Sequence, residues 1–121
     1  LIVNLLDPRV LNLGPGFFSY SLSKAALWDA TRMLAQALAP RIRVNGIGPG
    51  PTLPSIHQDQ AAFDAECEAT LLGRPVAPAE IALALRYLID ARSVTGQMIA
   101  VDAGQHLAGQ HSAGQHWAGK P

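Results

Sequence analysis

Apolar residues fall along this chain in three short runs separated by two stretches of helical spacing. Leu1-Ile2-Val3-Asn4-Leu5-Leu6, bounded by Asp7-Pro8, reads as a fully covered strand of the kind found in parallel sheets. Residues 8–19 hold two prolines and two glycines and are expected to loop over the end of that strand. From about Ser19 to Leu38, Leu22, Ala26, Met33, Leu34, Ala37 and Leu38 recur in helical phase among many alanines. That pattern predicts a largely buried helix, ended by Pro40. Ile42–Ile47 reads as a second strand, and Gly48-Pro49-Gly50-Pro51-Thr52-Leu53-Pro54 as loop, too rich in turn formers to continue it. A short helix is expected over Gln60–Leu71, burying Phe63, Cys67 and Leu71. A better one is expected over Pro78–Asp90, with Ile81, Leu85, Leu88 and Ile89 in phase and Pro78 in the first turn. Gly96–Asp102 supplies a third strand.

Strand, helix, strand, helix, strand implies parallel strands joined by right-handed crossovers, the layered α/β class. Ligands on such sheets bind beyond the carboxyl ends of the strands, here Asp7–Gly16 and Gly48–Ser55. With 121 residues, 49% of them hydrophobic, the chain is large enough for one domain with a core. Nine basic residues balance nine acidic ones, so there is no surplus to collect the phosphates of a nucleic acid or an acidic membrane face, and neither is expected as a partner. A single cysteine, Cys67, excludes an intramolecular disulfide and suits a reducing cytoplasm; no apolar run approaches the roughly 20 residues that cross a bilayer. The chain opens without Met and already in strand pattern, so it is expected to begin inside a larger domain.

Tyr20-Ser21-Leu22-Ser23-Lys24 sets a phenol and an ammonium one helical turn apart on one face, able to share a reacting atom. Taken alone, the pair reads equally well as a surface tyrosine beside a snorkelling lysine. Its place, opening a helix just after the loop that leaves a buried strand, favours a ligand site. The wider pattern comprises the strand Ile2-Val3-Asn4, Asp7 thirteen positions before Tyr20, and Tyr20-x-x-x-Lys24-Ala25-Ala26. It continues with Arg43-Val44-Asn45-Gly46-Ile47-Gly48-Pro49-Gly50 and Thr95-Gly96-Gln97-x-x-x-Val101-Asp102. Over residues 1–107 this resembles the short-chain dehydrogenase/reductase family. The resemblance implies the C-terminal part of a Rossmann-like, doubly wound parallel sheet, three strands with flanking helices. It also implies hydride transfer from a nicotinamide cofactor to a carbonyl or imine, with Tyr20 as proton donor. Lys24 would make the phenolate accessible and bond the nicotinamide ribose. Pro49, Gly50, Pro51 and Thr52 resemble the loop that packs on the nicotinamide, with Thr52 offering its hydroxyl.

Most members carry serine where this chain has Asp7. Aspartate there is similar to pteridine reductases and to bacterial dihydromonapterin-type reductases, a likeness that favours NADP over NAD and a pterin as the small-molecule substrate. Reduction of a C=N bond needs a proton on nitrogen as carbon takes hydride, and a carboxyl group can relay it. Asp7 also suits a turn, since Asp-Pro is a common strand exit and Pro8 keeps Asp7 extended, but several groups converging in one cleft favour the functional reading. Two readings therefore compete with a pterin reductase: a general carbonyl reductase in which Asp7 only orders the loop, and a non-catalytic fold remnant that keeps its helix surfaces for oligomerisation.

Cys67 is expected in the core, Arg43 and Asn45 in strand and loop hydrogen bonds, and Trp28 in packing or a subunit contact, because its helix forms an oligomer interface in the family. His106, His111 and His116 repeat at a period of five, which scatters them around a helix and reverses them on a strand, so no metal site is expected, and residues 108–121 read as a low-complexity tail. No glycine-rich phosphate turn occurs. The chain is thus expected to hold much of a proton-transfer site and little of a cofactor cradle, to expose an apolar edge at Leu1–Leu6, and to be prone to association and catalytically weak alone.

Overall fold

The computed structural model describes residues 1–108. In chain order these form β1 (Ile2–Leu5), a 3-10 turn (Pro8–Leu11), α1 (Phe18–Leu38), β2 (Val44–Pro49), α2 (Gln60–Glu68), α3 (Pro78–Asp90), β3 (Met98–Val101) and α4 (Gln105–Ala108). The strands make one parallel sheet in the order β1-β2-β3, with Ile2 opposite Val44, Leu5 opposite Ile47 and Gly46 opposite Met98. This is the α/β architecture that the alternation of elements predicts. The histidines at 111 and 116, and nearly all of the proposed tail, lie outside the described residues.

β2 is the centre. Each residue from Val44 to Gly48 is buried, and because successive side chains alternate faces, both faces of the strand are covered. Asn45 is fully buried at this centre without leaving a polar atom unmet: its Nδ2 donates to the Val94 carbonyl at 2.9 Å and its Oδ1 accepts from the Gln97 N–H at 3.0 Å. Arg43 caps the end of α3 by donating to the carbonyls of Leu88, Ile89, Ala91 and Val94. Both residues do the structural work expected of them.

Gly48 and Pro49 belong to the strand, against the expectation that turn formers end it at Ile47. The N–H groups of Gly46 and Gly50 donate toward β3, so the intervening Pro49 nitrogen faces the β1 side, past the last pairing of Leu5 with Ile47. There a missing N–H leaves no ladder bond unmade.

α1 also departs from its pattern. Its buried residues are Ser21, Thr31 and Ala35, whereas Leu22, Met33 and Leu34 are exposed. The small, polar side of the helix lies against the sheet because short side chains permit close approach and because Thr31 is pinned there. Its Oγ1 accepts from Asn4 Nδ2 at 3.0 Å and donates to the Leu27 carbonyl at 2.8 Å. The leucine and methionine sector is left facing outward. In α3, Leu88 is buried while Leu85 and Ile89 are exposed; in α2, Phe63 and Cys67 are buried as expected, but the helix stops at Glu68 and Leu71 is exposed.

Candidate active site

The carboxyl end of β1 builds the site. Asp7 is extended at φ −133° and ψ 133°, as the following proline requires, and its two oxygens divide their work. Oδ1 accepts the Arg9 N–H at 2.8 Å and so caps the 3-10 turn; Oδ2 accepts the Tyr20 hydroxyl at 2.9 Å. One side chain thus both closes the turn and bonds the phenol.

Tyr20 stands in the first turn of α1. The helix start is fixed by Ser21, whose N–H donates to the Phe17 carbonyl at 2.8 Å and whose Oγ donates to the Gly16 carbonyl at 3.2 Å. One turn on, Lys24 Nζ donates to the Leu5 carbonyl at 3.0 Å and lies 5.9 Å from the centre of the Tyr20 ring. The helix thus brings Tyr20 and Lys24 to the same strand end from which Asp7 projects.

The electrostatics of the phenol differ from expectation. Burial, the hydrogen bond to Asp7 and the charge of Asp7 raise the Tyr20 pKa above its usual 10, and the cation opposing this is Arg9. The ammonium of Lys24 is engaged by a backbone carbonyl. A phenol in this environment stays protonated through the neutral range, the form that donates a proton.

Pro49, Gly50, Pro51 and Thr52 leave β2 at the same end of the sheet. The β1 and β2 exits touch because Gly48 has no side chain: a Cβ there would stand 3.2 Å from the Pro8 nitrogen. Pro51 is buried, and Thr52 Oγ1 donates to the Gly50 carbonyl at 3.0 Å, within its own loop and to none of Asp7, Tyr20 and Lys24.

Several residues here carry no signal in the periodicity. Asp102, nearly fully buried, accepts from the N–H groups of Gly104 and His106 and meets His106 Nδ1 at 2.7 Å. His106 is therefore held by a carboxylate within its own turn. Glu66 accepts from both Gln58 and Gln105, tying α2 and the loop before it to the final turn. Cys67 is buried with its thiol pKa raised, first by burial and then by neighbouring carboxylates, as befits a core cysteine. A depression of about 480 Å³ lined by Leu1, Arg41, Arg43, Ile89 and Arg92 lies at the opposite, amino end of the strands.

A parallel α/β sheet with a tyrosine, lysine and aspartate gathered at its carboxyl edge is a Rossmann-like arrangement. Residues 2–106 match the family described as enoyl-(acyl carrier protein) reductase, and the chain belongs to this branch of the short-chain dehydrogenases/reductases. It is 45% identical over 110 residues to carbonyl reductase family member 4 of Danio rerio, covering 88% of this chain and 45% of that protein. It is 33% identical over 106 residues to dihydromonapterin reductase of Klebsiella pneumoniae, covering 88% of this chain and 44% of that one. Among solved structures, the FolM alternative dihydrofolate reductase 1 of Brucella suis in complex with NADP is 57% identical, with a TM-score of 0.84 over 87% of this chain and 42% of its own. The chain spans less than half the length of these three relatives.

Proposed function

We propose that this chain carries the proton-transfer side of an NADPH-dependent reductase that acts on a pterin-like C=N bond. The observation that carries the reading is the Tyr20 hydroxyl on Asp7, with Lys24 one turn away at the same strand end. The presence of dihydromonapterin and dihydrofolate reductases among its relatives supports a pterin, and the NADP of the Brucella protein supports that cofactor. The donor set here suits the nicotinamide-ribose end of such a dinucleotide. Lys24, an ammonium with three N–H groups, donates one to Leu5, and the Thr52 oxygen remains able to accept. Bound at this edge, NADPH supplies the hydride.

The residues of the chain supply the proton. Tyr20, kept protonated by burial and by Asp7, gives its hydroxyl proton to the substrate nitrogen as the adjacent carbon is reduced. Asp7, already bonded to that oxygen, is the relay through which the phenol regains a proton from solvent. Lys24, anchored on the backbone of β1 one turn from the phenol, would hold the nicotinamide ribose at this strand end.

Asp7→Ala, measured by NADPH oxidation in the protein that carries this sequence, is expected to abolish pterin turnover while sparing a simple ketone. Equal loss on both substrates would return Asp7 to ordering the loop. That outcome is the second reading, a carbonyl reductase, and the 45% identity to the Danio protein favours it. The outward apolar sector of α1, with Leu22, Met33 and Leu34, supports assembly as a homo-oligomer. A buried, unbridged Cys67 suits the cytoplasm.

A further inference from the structure

Arg9 lies outside the Tyr-x-x-x-Lys pattern, yet it touches more of the site than Lys24 does. Its backbone N–H holds Asp7 Oδ1 at 2.8 Å, and its Nε stands 3.9 Å from the same oxygen. Its guanidinium lies 4.6 Å from the centre of the Phe17 ring and 5.8 Å from that of Tyr20. The guanidinium forms no hydrogen bond shorter than 3.5 Å among the described residues, so it is held by the Asp7 charge and by the two rings.

Phe17 is an independent sign that this placement is built. It is left-handed, at φ 51° and ψ 49°, a conformation that disfavours a side chain. Glycines stand at 14 and 16, yet the left-handed residue is the phenylalanine. Its ring is 73% exposed, so core packing does not explain it; what it does contact is the face of Arg9. Backbone strain retained at an exposed aromatic is the kind that collects at functional sites.

We infer that Arg9 is a positioning residue of the proton-transfer group: stacked on Phe17 beside Asp7 Oδ1, it is held facing the Tyr20 ring as a second cation beside Lys24. The inference rests on the proton-transfer reading given above. The charged groups around the phenol are Asp7 and Arg9 from the β1–α1 connection and Lys24 from α1. α4, which packs on the same turn, presents His106, already engaged by Asp102. Of the two cations, Arg9 is the one that lowers the Tyr20 pKa, against the upward pull of burial and Asp7.

Tyr20 can be titrated without turnover. In the protein that carries this sequence the labelled phenol is followed by carbon NMR, its signal assigned by its loss in Tyr20→Phe. There Arg9→Met is expected to move the Tyr20 midpoint further upward, Arg9→Lys to restore most of the original value, and Phe17→Ala to move it upward by less than Arg9→Met. In the protein that carries this sequence, Arg9→Met is expected to lower kcat about tenfold with the KM for NADPH unchanged, and Arg9→Lys to recover most of it. An unmoved midpoint in both Arg9→Met and Phe17→Ala overturns the inference. So does an Arg9→Lys variant as impaired as Arg9→Met, because charge would then not be what matters. If the unaltered protein reduces neither a pterin nor a ketone, the proposed function falls, and the titration still decides whether Arg9 governs the phenol.

Discussion

Asp7 shows how much one side chain is asked to do at the head of this site: one oxygen closes a turn, the other takes the phenol. Tyr20 and Lys24 were legible in the sequence because a spacing of four sets them on one helix face; Asp7 was legible as the residue that ends the first strand and through the family resemblance, which has an acid or hydroxyl residue thirteen positions before the tyrosine. Arg9 and Phe17 were not, since their meeting depends on a left-handed backbone that no periodicity encodes. The direction of the Tyr20 shift was also hidden, because it comes from burial and from Asp7 and not from the lysine that the motif advertises. With the Tyr20 pKa raised, ionisation of the phenol is expected to leave reduction unaffected from neutral pH to about 9. A pH–rate profile losing activity through phenol ionisation below pH 9 would contradict this. Asn45 gives a stability test at the same scale. Asn45→Ala strands the Val94 carbonyl and the Gln97 N–H and is expected to cost about 2–4 kcal/mol in urea unfolding.

At the scale of elements, strand and helix order were readable from hydrophobic runs, whereas the rotation of α1 was not. Helical phase selected Leu22, Met33 and Leu34, but the buried side is set by Thr31 bonding Asn4 and by small residues that fit close to the sheet. The start of α3 is organised by charge. Glu80 accepts the Ala77 N–H at 2.8 Å and pairs with Arg74, whose hydrogen bonds, followed by that N–H, hold its pKa at about 2. A carboxyl depressed in the folded state stabilises fully above its unfolded pKa of about 4.5, and that contribution is lost as pH falls through about 2. Arg74→Met is therefore expected to flatten the dependence of thermal stability on pH across this window, an effect that differential scanning calorimetry reads. The exit of β2 is equally specific, because a Cβ on Gly50 would lie 2.6 Å from the Asp102 Cα. Gly50→Ala is expected to lower Tm by forcing β2 from β3 where the candidate cofactor loop begins.

Over the whole molecule the charge is balanced, and the three parallel strands gather Asp7, Tyr20 and Lys24 at one edge of the sheet. β1 is paired only with β2 among the described residues, and Leu1, Ile2 and Leu5 are exposed along with the apolar sector of α1. Self-association of the chain, followed by sedimentation velocity, is expected to weaken in Met33→Glu combined with Leu34→Glu; an unchanged distribution would place the contact elsewhere. Tyr20 is the residue on which proton transfer turns. The most direct test of that role is single-turnover NADPH oxidation with a dihydropterin in the protein that carries this sequence, comparing the unaltered form with Tyr20→Phe. The account predicts a loss of about 10²–10⁴-fold in the rate of reduction, with NADPH affinity little changed. A Tyr20→Phe protein that reduces the pterin within a few-fold of the original rate would contradict it.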